Sequence, residues 1–437
     1  MDQTIEGKIY LNGRFEEGCI GIKDGKITAI KKILKGDEHY SFSHQLILPA
    51  AIDLHVHFRE PGFTYKEDFY TGSKAAAYGG ISCFFDMPNT NPPTTHTNNV
   101  LEKIRYASKK SFVDYGIYAG IIDNNIDEAK KLSEYCNGFK IYLGDTTGSL
   151  QLDEQKLGDV LEEISSLNRP VLIHAESNKC LQQHRITEDN LQDHIRSRPA
   201  ECEENAIRNI LLSSKTTKKP LKIHICHLSS CEGFEILKKH PPNITIGVTP
   251  HHLLLNIEKI SKRYQTHYKV NPPIRTNLDQ ETLWYGIQKG FIDILESDHA
   301  PHTLQDKEAE FMDAPAGVPG AETMLPLFLA EVKRNNLSLK KLVSMLCEKP
   351  ADLTGVPKGR IEIGRDADLI IVDLKEEIKN IRAEHLHSKC GWTPFEGMKA
   401  LFPKHLFVRG EIVIEDHALV GAPGHGKHIQ PSQYIRM

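Results

Sequence analysis

Residues 52–62 read Ile-Asp-Leu-His-Val-His-Phe-Arg-Glu-Pro-Gly and place His55 and His57 one residue apart at the end of an apolar run. Alternate side chains of a strand share a face, so imidazoles at i and i+2 lie about 7 Å apart along the chain and can reach one metal ion. A single His-x-His pair is common on protein surfaces. Its weight here comes from further candidate ligands at the ends of later apolar runs. They are Lys140 in Gly-Phe-Lys-Ile-Tyr-Leu, His174 in Val-Leu-Ile-His-Ala-Glu, His227 in His-Ile-Cys-His-Leu, and Asp298 in Glu-Ser-Asp-His-Ala-Pro-His.

Mixed nitrogen and oxygen donors suit Zn²⁺, and hydrolytic ion pairs lie about 3.5 to 4 Å apart. An ammonium cannot bind a cation, so Lys140 joins such a site only as a neutral amine that has taken up CO₂. The resulting carbamate would offer two oxygens to bridge two metals. Desolvation disfavours a charged amine and makes that reaction accessible; the competing reading is a strand-end lysine whose ammonium reaches solvent. His224 and His227 compete for one position, and His227, nearer the C-terminal end of its run, is chosen. His251, His252 and His299 are assigned structural or supporting roles, and Cys226 a packing role.

The elements that must position these groups follow from periodicity. Short β-rich apolar runs cover residues 51–57, 81–87, 115–122, 139–143, 171–174, 221–227, 244–248 and 292–295. Between them, segments such as 66–78, 154–167 and 203–212 have the apolar spacing of amphipathic helices. Eight strands alternating with helices predict an α/β fold, a (β/α)8 TIM barrel whose catalytic groups stand at the C-terminal strand ends. The flanks differ: residues 8–32 hold short alternating strands with turns at Asn12-Gly13 and Asp24-Gly25, and residues 364–373 and 406–416, with Arg409-Gly410, repeat the style. The expectation is a small β-sandwich domain built from both chain ends, over 1–48 and 358–437, with the barrel occupying 49–357.

The 437 residues accommodate a barrel of about 250 residues plus a smaller domain. With 54 basic and 58 acidic residues and no long basic run, the chain shows no nucleic-acid surface, and a small-molecule partner is expected. No apolar stretch is long enough to span a bilayer and the N-terminus lacks a signal-peptide core, so no membrane partner and a cytoplasmic location are expected. Nine scattered cysteines predict reduced thiols rather than disulfides.

At this point the chain resembles the dihydroorotases of the cyclic amidohydrolase superfamily. The likeness runs from about Leu48 to Val420. It rests on Asp-Leu-His-Val-His-Phe-Arg-Glu-Pro-Gly (53–62), Asp-Met-Pro-Asn-Thr (86–90), Gly-Phe-Lys-Ile-Tyr-Leu (138–143), His-Ile-Cys-His-Leu (224–228) and Ser-Asp-His-Ala-Pro-His (297–302). The Lys140 stretch, residues 317–327 and Trp-Thr-Pro-Phe-Glu-Gly (392–397) are similar to the lysine-containing form rather than to relatives with aspartate at that position. The resemblance implies a carboxylated Lys140 and two zinc ions held by His55, His57, Lys140, His174, His227 and Asp298. It implies Arg59, Asn89 and His302 as partners of a substrate carboxylate, and Asp298 as general acid and base. It also implies Thr146 in the loop Gly-Asp-Thr-Thr-Gly (144–148) as a group that closes over substrate, and a homodimer. The implied reaction is the reversible cyclisation of N-carbamoyl-L-aspartate to L-dihydroorotate in pyrimidine biosynthesis. Two rivals remain: an allantoinase- or dihydropyrimidinase-type cyclic amidase, against which Arg59 and Asn89 argue, and a non-catalytic scaffold, against which the filled ligand positions argue.

Overall fold

The computed structural model describes residues 1–144 and 150–431. Eight parallel strands, Ala51–Val56, Ile81–Asp86, Asp114–Gly120, Gly138–Tyr142, Val171–His174, Ile223–Ile225, Ile244–Val248 and Ile294–Leu295, pair in sequence order. The first and last segments close the ring: the His57 N–H donates to the His299 carbonyl at 2.8 Å, and Val56 pairs with His299. This is the expected TIM barrel. Its strands are near-continuous apolar runs because helices cover the outer face while side chains fill the inner one. Ala51–Val56 and Ile81–Asp86 are buried at every position.

The helices form where periodicity placed them, with ends set by capping. Phe69–Tyr78 begins at Asp68, whose Oδ1 accepts from the Thr71 N–H at 2.9 Å. Asn277–Lys289 begins at Thr276 and ends at Gly290, where φ of +81° suits a residue without Cβ. Leu157–Ile164 is shorter than the apolar spacing of 154–167 implied, because single 3₁₀ turns flank it on both sides.

The chain ends form one mixed eight-stranded sheet. Strands Gln3–Leu11, Arg14–Lys23, Lys26–Lys31 and Glu38–Pro49 join Leu369–Val372, His405–Val408, Glu411–Glu415 and Ala418–Leu419. Asn12-Gly13, Asp24-Gly25 and Arg409-Gly410 all have positive φ at both residues, as two-residue hairpin turns of matching twist require. Glu38–Pro49 unites the halves, running parallel to Gln3–Leu11 and antiparallel to Leu369–Val372. Ile5, Ile20, Ile27, Ile47, Ile371 and Phe407, drawn from across this sheet, share one core.

Lys358 ties sheet to barrel. Its buried ammonium lies 2.7 Å from Asp114 on the third barrel strand, 2.7 Å from Asp368 and 3.0 Å from Asp366. The C-terminal tail adds to this joint, since the Ile429 N–H donates to the Tyr115 carbonyl at 2.8 Å.

The cysteine expectation needs correction. Cys180 and Cys202 form a disulfide between helices Asn178–Gln183 and Ala200–Ser214. The two are 22 residues apart and become neighbours only through the packing of these helices, a proximity no spacing rule encodes. Seven other cysteines are free.

Candidate metal centre

His55, His57, His174, His227 and Asp298 gather at the C-terminal mouth of the barrel, each carried by the end of a strand or the residues just after it, and Lys140 stands within the fourth strand, Gly138–Tyr142. His55, His57, Arg59, Asn89, Tyr142, His174, His227, Asn271 and Asp298 line one cleft. Arg59, His227 and Asp298 adopt positive φ, at 61°, 38° and 47°. Non-glycine residues rarely do so, and three in one cleft mark a backbone held by its surroundings.

The surroundings also orient the imidazoles. His57 Nδ1 lies 2.5 Å from Asn89 Oδ1, an acceptor, so Nδ1 carries the proton and Nε2 keeps its lone pair. His55 Nδ1 faces Glu296 Oε2 at 3.3 Å, which likewise leaves its Nε2 lone pair free. Both Nε2 atoms point at Asp298 Oδ1, from 3.4 and 3.2 Å. Three acceptor atoms therefore converge with no proton among them, an arrangement that a cation stabilises. On the opposite side His174 donates from Nε2 to Glu176 Oε2 at 2.8 Å, so its Nδ1 lone pair faces His227 Nε2 at 3.1 Å. Carboxylates behind the ligands that fix which nitrogen is free are a regular feature of metal-binding histidines.

Electrostatics favour the same states. Burial lowers His55, His174 and His227, and takes His57 down to about 4, so these rings are neutral near pH 7. The Asp298 carboxyl lies well below the usual carboxylate range, against the raising effect of burial, and is ionised near pH 7. Neutral imidazoles and an ionised carboxylate are the forms a metal requires.

Lys140 is fully buried on the fourth strand, with Nζ 3.2 Å from Cys226 Sγ and 5.0 Å from the Tyr142 ring. Among the described residues it reaches no carboxylate, which fits a lysine whose amine serves some other chemistry than ion pairing. Arg59 is buried beside the imidazoles, with Nη2 3.1 Å from His302 Nε2. Asn89 is in the cleft, though its carbonyl oxygen is engaged by His57. Thr146 falls outside the described residues. His224 bonds Thr245 and Glu296 rather than lining the cleft.

Three groups went unforeseen. Glu296 braces His55, His224 and the backbone of His227. Glu176 orients His174 and is itself held by Arg198 at 3.1 and 2.6 Å. A carboxylate two residues before Asp298, and another two after His174, were the available signals, because i and i+2 share a strand face.

Residues 46–413 match the amidohydrolase family. The chain is 39% identical to a dihydroorotase of Methanosarcina acetivorans, across 97% of this chain and 94% of that one. It is 40% identical to a dihydroorotase of Thermoplasma acidophilum, across 97% of each. The chain belongs to the dihydroorotase family of amidohydrolases. Among solved structures, the L-hydantoinase (dihydropyrimidinase) of Arthrobacter aurescens superposes with a TM-score of 0.93 at 28% identity, covering 98% of this amidohydrolase and 99% of that chain. The dihydropyrimidinase of Brevibacillus agri shares the fold, with a TM-score of 0.90 at 24% identity. No helix among the described residues of this amidohydrolase is long and apolar enough to cross a membrane.

Proposed function

We propose that this chain is a dihydroorotase, which cyclises N-carbamoyl-L-aspartate reversibly to L-dihydroorotate in pyrimidine biosynthesis. The observation that carries the reading is the convergence of the imidazoles of His55, His57, His174 and His227 with the Asp298 carboxylate beside the buried guanidinium of Arg59. Full-length similarity to dihydroorotases supports the same substrate.

His55, His57, His174, His227, Asp298 and a carboxylated Lys140 would hold two zinc ions. Bound there, such a pair acidifies water and polarises an amide carbonyl. Carboxylation joins the Lys140 amine to CO₂ with release of a proton, and the amine lies buried with Cys226 Sγ at 3.2 Å and no carboxylate among its described partners.

The protein's own groups supply the rest. Asp298, ionised at rest, accepts the proton of the attacking water and delivers it to the departing ring nitrogen, and the synthetic direction reverses these transfers. Arg59 pairs its planar guanidinium with the substrate carboxylate, joined by His302 and the amide nitrogen of Asn89. Thr146 completes the reading as a loop group that covers bound substrate. A homodimer in the cytoplasm completes the family pattern.

Turnover of dihydroorotate, dihydrouracil and allantoin by zinc- and bicarbonate-supplemented protein tests the reading. Hydrolysis of dihydroorotate is expected; activity confined to the two rings without a carboxylate would overturn it.

A further inference from the structure

His302 is a buried imidazole whose two nitrogens meet different neighbours. Nδ1 lies 2.9 Å from Lys66 Nζ, whereas Nε2 lies 3.0 Å from the Ala316 carbonyl and 3.1 Å from Arg59 Nη2. An ammonium only donates, so Nδ1 must accept and the ring proton must be on Nε2. Burial lowers Lys66, and this is opposed by Asp306, 3.2 Å away, which is itself fixed by the Thr303 capping box at the start of helix Leu304–Lys307.

We propose that Lys66 is a positioning residue, which locks His302 in the tautomer whose Nε2–H anchors the ring to the Ala316 carbonyl and so holds it beside the Arg59 guanidinium that pairs with the substrate carboxylate. The inference rests on the dihydroorotase reading and deepens it. Without Lys66 the ring is free to move its proton to Nδ1. An Nε2 lone pair would then face the Ala316 carbonyl oxygen, replacing an attractive contact with a repulsive one, and would draw an Arg59 N–H away from the substrate carboxylate.

The backbone supports the arrangement from both sides. The Phe63 N–H donates to the Arg59 carbonyl and the Lys66 N–H to the Phe63 carbonyl, each at 2.9 Å, so two consecutive turns present Arg59 and Lys66 together. Opposite them, the buried Lys307 ammonium donates to the Pro315 and Gly317 carbonyls at 2.9 and 3.0 Å, fixing the segment whose Ala316 carbonyl receives the His302 proton. The Trp392 indole N–H donates to the His302 carbonyl at 2.8 Å and sets the backbone of the ring itself. Burial, with Arg59, Lys66 and Lys307 nearby, holds His302 neutral, so its tautomer rather than its charge is the variable.

The test combines kinetics with ¹⁵N NMR of histidine-labelled, metal-loaded protein, using Lys66→Met and Lys66→Arg variants that retain the wild-type zinc content. Lys66→Met is expected to raise KM for dihydroorotate about tenfold or more while kcat changes little, the pattern of lost ground-state binding. Lys66→Arg, which still donates, is expected to restore most of the loss. In the wild type the His302 Nδ1 resonance should be that of an unprotonated, hydrogen-bonded nitrogen, and it should change in Lys66→Met. An unchanged KM in Lys66→Met, or a proton on Nδ1 in the wild type, would overturn the proposal. Absence of dihydroorotate turnover by the wild type would instead overturn the functional reading, and the NMR result would still decide the tautomer.

Discussion

Glu296 accepts a hydrogen bond from the backbone N–H of His227, with Oε1 at 2.6 Å. Its other oxygen lies 3.3 Å from both His55 Nδ1 and His224 Nε2, so one carboxylate sets the geometry of two candidate ligands from separate strands. Burial alone would raise this carboxyl, but His224 and His55 hold it well below its ordinary range. Glu296→Gln keeps the shape and removes the charge. Zinc affinity, measured by chelator competition, is expected to fall about 10- to 100-fold, as for other residues behind metal ligands; unchanged affinity would contradict this role.

Asp298 is assigned both proton transfers. Asp298→Asn retains an oxygen donor yet cannot take up a proton. In protein shown to hold metal, kcat for dihydroorotate should drop by about 10² or more. A loss confined to KM would remove Asp298 from the chemistry.

Acid sensitivity has a definite sign. Burial takes His57, His252 and His428 down to about 4, whereas an unfolded histidine titrates near 6.5. Between these values the unfolded chain binds more protons, so stability is complete above about pH 6.5 and is lost as pH falls towards 4. His428, remote from the cleft and 3.2 Å from Asn137 Oδ1, isolates the effect. Denaturant unfolding of metal-free His428→Asn should show a shallower pH slope, by at most about 1.4 kcal/mol per pH unit. An identical slope would show that His428 titrates alike in both states.

Much of this was legible in the sequence because barrel architecture is local. Each strand is a short apolar run, and a polar residue at its end, such as His174 or Asp298, stands at the mouth whatever the other strands do. The hairpins at Asn12-Gly13 and Asp24-Gly25 were equally plain, since few dipeptides tolerate two positive φ values.

What stayed hidden depends on partners distant in sequence. Glu176 and Arg198 meet only after a helical excursion returns, and so do Cys180 and Cys202. Lys66 looks like any loop lysine until His302 arrives from beyond the eighth strand. The strand Glu38–Pro49 was masked by its alternating polar residues, which face solvent on one side of a sheet whose neighbours come from opposite chain ends.

The central claim is that donors from separate strand ends share one pair of cations. Anomalous diffraction at the zinc edge, from crystals grown with zinc and bicarbonate, tests it directly. The account predicts two peaks, one beside His55, His57 and Asp298 and one beside His174 and His227, with density for a carboxylate on Lys140 Nζ between them. A barrel mouth without zinc, or a bare Lys140 amine beside a fully loaded site, would contradict it.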